Sequence, residues 1–163
     1  MLILECTKKL VDELKVSLDV LSFHGDPLYE WHANKFIYRR RKCCILMNNK
    51  TRYCIILYGL KKEHFLDFGR TVVLAIENNF LAEGLKPKVV SGYLENIQKV
   101  IYTKTYDRSI LGQMNDMVFL ATNAYFKDED FYQLELNKKL NQVPLPKSKY
   151  LYGIRGLRDQ LEN

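Results

Sequence analysis

Between Phe36 and Tyr58 three short β-prone runs, FIY, CCILM and RYCIILY, are separated by two polar segments, RRRK and NNKT. Asparagine tolerates the left-handed turn conformation, so this stretch predicts an antiparallel meander. Residues 61–83 then place Phe65, Phe68, Val72, Val73, Ile76, Phe80 and Leu81 at helical intervals. Gly84 stands where a C-terminal cap belongs, and Pro87 where that helix cannot continue.

Around this centre the signals are shorter. Leu2 to Cys6 reads as a strand, with Thr7 as the cap of a helical turn to about Lys15. Gly25, Asp26 and Pro27 make residues 22–34 a loop. Residues 88–97 are ambiguous, and KVIYTKT reads as a further strand. A second helix is expected over 108–126 with Asp107 as its cap, and a third after Asp128, stopped by Pro144 and Pro146. Strands first and helices after predict an α+β fold: an antiparallel sheet of about four to five strands packed against two to three helices. The 163 residues fit one domain, 1–163, with 144–163 as an edge strand or ordered arm.

Composition narrows the classes. With 47% hydrophobic and 27% charged residues the chain is an ordinary globular one. The N-terminus has neither a signal peptide's apolar centre nor a targeting helix, and no run approaches the roughly 18 apolar residues of a membrane span. A soluble, cytoplasmic protein without membrane contact is therefore expected. Cys6, Cys43, Cys44 and Cys54 lack C-x-x-C spacing and read as reduced, packed thiols. The sequence has no H-E-x-x-H, no second histidine at metal-ligand spacing and no G-x-S-x-G, so no metal and no cofactor are predicted.

The net charge of +6 is unevenly placed: Lys35 to Lys62 hold nine basic residues and no acidic one. Arg39, Arg40, Arg41 and Lys42 read as a solvated hairpin tip, or as contacts to nucleic-acid phosphates. A nucleic acid or nucleotide partner fits this pattern, and a homo-oligomer is left open.

The stretch YTKTYDRSILGQMND, residues 102–116, joins a strand to a helix start, where free amides favour an anion. Lys104 and Arg108 add positive charge there, and Thr103, Thr105 and Ser109 add hydroxyls. Asp107 opposes an anion, since a capping carboxylate takes the same amides. Arg108, Gly112 and Asn115 fall on one helical stripe beside Ser109 and Asp116, opposite the apolar face. Gly112 marks either a ligand's approach or tight packing. In WHAN, Trp31 could stack on a ring, His32 could transfer protons near neutral pH, and Asn34 completes the polar set.

WHANKF, the segment CCILMNNKTRYCIIL, and above all YTKTYDRSILGQMND resemble a bacterial family with a domain of unknown function, typified by W-H-A-N, N-x-x-T and K-T-x-x-R-S-x-L-G-x-M-N-D. The likeness spans roughly residues 1–145 and implies that Arg108, Ser109, Leu111, Gly112, Met114, Asn115 and Asp116 belong to a signature. It brings no activity with it. The expectation from the residues is a small binding module for an anionic ligand, a nucleotide or nucleic-acid phosphate, held between the start of the 108–126 helix and WHAN. The alternatives are a hydrolase-like enzyme using His32 as acid or base, Ser109 as nucleophile and Asn115 or a helix-terminal amide at an oxyanion, or a structural, partner-binding protein.

Overall fold

A computed structural model describes residues 1–21 and 24–163. Ser22 and Phe23, which open the stretch read as a loop, lie outside the described residues. The fold is α+β, with a five-stranded sheet and seven α-helices among the described residues. In chain order these are β1 (Leu2–Cys6), α1 (Lys8–Leu14), β2 (Glu30–Tyr38), β3 (Arg41–Asn48), β4 (Cys54–Tyr58), α2 (Lys62–Leu66), α3 (Phe68–Ala82), α4 (Pro87–Glu95), β5 (Val100–Lys104), α5 (Arg108–Leu120), α6 (Leu134–Leu140) and α7 (Gly153–Glu162).

The predicted meander is present, β2 pairing antiparallel with β3 and β3 with β4. The expectation of a wholly antiparallel sheet fails at β1, which lies between β2 and β5 and is parallel to both. Parallel neighbours need long crossovers, and the chain supplies them: α1 and the segment after it lead to β2, while three helices separate β4 from β5.

Helices therefore cover both faces, more of them than expected. On one face Leu2, Leu4, Trp31, Leu46 and Ile55 pack with Val72, Ile76 and Phe80 of α3 and Val90 and Tyr93 of α4. On the other, Ile45, Met47, Cys54 and Ile56 meet Ile110, Met114 and Met117 of α5 and Leu136 and Leu140 of α6.

Several boundaries shift for identifiable reasons. The expected 61–83 helix divides at Asp67, whose side chain accepts from the Arg70 amide and starts α3 afresh. Pro87 occupies the first turn of α4, where its missing N–H costs nothing, so the ambiguous 88–97 stretch is helical as far as Glu95. Thr7 precedes α1 but does not cap it; its hydroxyl donates to Asn34 Oδ1 at 2.6 Å. Asp128 binds Gln133 Nε2 within the preceding loop, and α6 starts only at Leu134. The tail forms no edge strand; it carries α7, which comes so close that a Cβ on Gly156 would lie 2.9 Å from the Thr51 carbonyl oxygen.

The outer edge of β4 is closed by side chains. Asn141 accepts from the Cys54 amide and donates to the Cys54 carbonyl, both at 2.8 Å. Asn137 does the same at Ile56, at 2.9 and 3.2 Å. The Tyr58 amide donates to the Phe131 carbonyl at 3.0 Å.

Candidate carboxylate and histidine site

Side chains alternate along a strand. Since Leu2, Leu4 and Cys6 face the α3 side, Glu5 faces the α5 side, and on β2 Trp31 and Ala33 leave Glu30, His32 and Asn34 pointing the same way as Glu5. The parallel register sets Ile3 beside Glu30 and Glu5 beside His32. Asn49 joins them as its amide donates to the Glu30 carbonyl at 2.9 Å. Helices α5 and α6 cover the β3 and β4 end of this face, and the apolar cluster they form there does not extend to Glu5, Glu30 and His32.

The result is a compact buried cluster. Glu5 and His32 are fully buried, with Glu5 Oε2 2.7 Å from His32 Nδ1. Asn49 Oδ1 lies 2.8 Å from the same nitrogen. Two acceptors facing Nδ1 assign the proton there, leaving Nε2 to accept from the Asp107 amide at 3.4 Å. Asn49 Nδ2 donates to both Glu5 oxygens at 3.1 Å. Glu30 is 1% exposed; its Oε2 lies 3.6 Å from His24 Nδ1, and its Oε1 is buried with no partner. Tyr106 roofs the cluster, its ring 4.7 Å from that of His24 and 5.4 Å from that of His32.

The electrostatics are those of surplus negative charge. Burial first, and then the Glu5 carboxylate, push the Glu30 carboxyl above its ordinary range, with His24 offsetting part of the effect. Burial, Glu5, Glu30 and Asp107 raise the Tyr106 phenol. Among the described residues the only ion-pair partners of Glu5 and Glu30 are histidines. One donor atom each from Glu5, His24 and Glu30 lie within 4.8 Å of one another. A cleft of about 500 Å³ opens onto Glu30.

The sequence-predicted residues divide. His32 lies in this cluster, where the Asp107 amide and the Tyr106 ring, neither of them predicted as ligand contacts, meet it. Asp107 is the expected cap, its Oδ1 accepting from the Ser109 and Ile110 amides at 2.9 and 3.2 Å. Those amides are thus occupied. Arg108, Ser109, Gly112, Asn115 and Asp116 form an exposed stripe, and Lys104 is exposed at the end of β5 with Thr103 and Thr105 half-buried. His32 makes no hydrogen bond to Ser109 among the described residues.

WHAN is strand rather than loop, which sends Trp31 to the opposite face of the sheet, where its indole donates to the Tyr93 hydroxyl at 3.0 Å. A single site joining Trp31 to Arg108 is therefore corrected: the sheet separates them. Asn34 is held by Thr7. Only Arg39 and Arg40 form the hairpin tip, both at positive φ; Arg41 and Lys42 begin β3, and Lys42 pairs with Glu13 at 2.8 Å.

Sequence reasoning missed Glu5, His24, Glu30 and Asn49. The available signal was Glu5, a lone carboxylate inside the apolar run LILEC. The strand register that gathers the rest is not written in local spacing.

Fold and site together define a small α+β domain with a buried carboxylate and histidine centre on one face of a mixed sheet. The chain belongs to the family described as Domain of unknown function (DUF6933), whose model matches residues 3–155. No curated protein and no solved structure matches it.

Proposed function

We propose that this domain is a binding module for a divalent transition-metal cation held by Glu5, His24 and Glu30. The observation that carries this reading is the buried, partnerless Oε1 of Glu30 beside a second buried carboxylate, with no lysine or arginine ion-paired to either among the described residues. A buried charge in that position calls for a counter-charge. One imidazole nitrogen and two carboxylates suit zinc, manganese or ferrous iron. Donors up to 4.8 Å apart need to draw in by about 1 Å to close on a zinc ion. His32 and Asn49 hydrogen-bond the Glu5 carboxylate, which is the outer support that metal-binding carboxylates use. Four free, buried cysteines support a reducing, cytoplasmic setting.

The rival is the anionic ligand at the start of α5. It retains exposed Lys104 and Arg108 as support, but Asp107 holds the amides it needs and Glu5 and Glu30 lie nearby.

The test is a melt of chelator-stripped protein with zinc or manganese chloride, and separately with phosphate. Binding at a hundred times Kd adds about 2.7 kcal/mol of stability. The expected result is a rise of several degrees with metal, absent in Glu30→Gln and His24→Ala. Stabilisation by phosphate alone would transfer the site to the anion reading, and no shift with any of the metals would overturn the proposal.

A further inference from the structure

A second cleft, of about 730 Å³, lies between the end of α1 and α2, and its chemistry differs from that of the carboxylate centre. The floor is apolar, built from Leu60 and Phe65, and Leu66 stands at 76% exposure. Lys15, Lys42, Lys61 and Lys62 line the same cleft. The acidic group among them, Glu13, is already neutralised, bound by Lys42 at 2.8 Å and Lys35 at 3.1 Å. Lys15, Lys61 and Lys62 are exposed and make no ion pair among the described residues.

A surface lysine by itself is a solvated charge. Three unpaired ammonium groups around an apolar hollow of ligand size are a different feature, because a hollow of some 300 to 1,000 Å³ buries most of a small molecule. An apolar ligand alone would leave the ammonium groups idle, and a small anion alone would leave the floor and Leu66 uncovered. From this charge and shape complementarity we infer that the α1 and α2 cleft binds an amphiphilic anion, a carboxylate or phosphate head on an apolar chain, with the head among Lys15, Lys61 and Lys62 and the chain along Leu60, Phe65 and Leu66. This site shares no residue with the metal proposal and stands or falls separately.

The experiment is a two-dimensional amide NMR titration of the full chain with dodecanoate below its micelle concentration. Acetate serves as the head alone and dodecyltrimethylammonium as a chain of opposite charge. Saturable shifts confined to residues 13–16, 42 and 60–66 are expected with dodecanoate only. The double substitution Lys61→Glu and Lys62→Glu, and separately Leu66→Asp, should each weaken binding tenfold or more; both sites are exposed, and unchanged melting confirms that the fold persists. Equal binding of dodecyltrimethylammonium, or of acetate, would overturn the inference. So would phosphatidylglycerol vesicles that sediment the protein when free dodecanoate leaves the spectrum unchanged, since the lysines would then serve a membrane surface.

Discussion

Replacing Glu30 by glutamine keeps the shape of the side chain and removes its charge, so it separates a carboxylate that waits for a cation from one the fold has already satisfied. With donor atoms no more than 4.8 Å apart, the Glu5 and Glu30 charges repel by about 3 kcal/mol at an effective dielectric constant of about 20. His24 and Asn49 offset part of this. A net gain of about 1 to 2 kcal/mol is expected for metal-free Glu30→Gln at pH 7.5, a rise in Tm of roughly 2 to 8 °C for a chain this size. The sign depends on pH. A carboxyl raised above its ordinary 4.5 holds its proton more tightly when folded, so the wild type is favoured at low pH and loses stability as pH rises through the folded value. Melts followed by circular dichroism in chelator from pH 4 to 8 should therefore show the two proteins converging at the acid end and separating above it. Adding zinc should reverse the order, because only the wild type keeps all three donors. A Glu30→Gln protein that melts lower than wild type at pH 7.5 without metal would refute the reasoning, since the charge would then be paired within the fold.

Other substitutions test the frame around the site. Gly112→Ala should stabilise by up to about 1 kcal/mol in urea titrations, because Gly112 is exposed within α5 and an added Cβ meets nothing within 4 Å. Asp107→Ala should cost about 1 kcal/mol by the same measurement, as two first-turn amides lose their acceptor. Asn141→Ala uncovers both polar groups of Cys54; a loss of about 1 to 3 kcal/mol and faster hydrogen exchange at that amide are expected. Neutralising Arg39, Arg40 and Arg41 together should leave the melting curve unchanged, and gel shifts with DNA and RNA at two salt concentrations would reveal any phosphate contact the triple variant loses.

What could be read in advance was local. The start of α5 was legible because a capping aspartate and a clean apolar stripe agree there, and the meander because polar turns separate β-prone runs. The break at Asp67 was hidden, since Phe65 and Phe68 keep helical spacing across it. The side of the sheet that each WHAN residue faces could not be read while the segment passed for a loop; once it is a strand, alternation alone parts Trp31 from His32. His32 was legible as a candidate because a histidine stands beside a tryptophan in WHAN, but the carboxylates around it were not. Glu5 and Glu30 are separated by 24 intervening residues in sequence and are joined only by the parallel pairing of β1 with β2, which no local pattern encodes.

The two asparagines of α6 that close the β4 edge pose a problem of pitch. Four residues of helix advance about 6.0 Å, while two residues of strand advance about 6.8 Å. Asn137 and Asn141 match Ile56 and Cys54 within that difference, running antiparallel to the strand. A third rung would lie roughly 1.6 Å out of register with the first. At the Tyr58 end the partner is indeed no longer a helical side chain but the Phe131 carbonyl in the loop before α6. Helix α6 thus imitates a neighbouring strand for two rungs, and because it begins only at Leu134 the backbone before it must close the third, so the start of the helix sets how much of this edge side chains can shield from another chain.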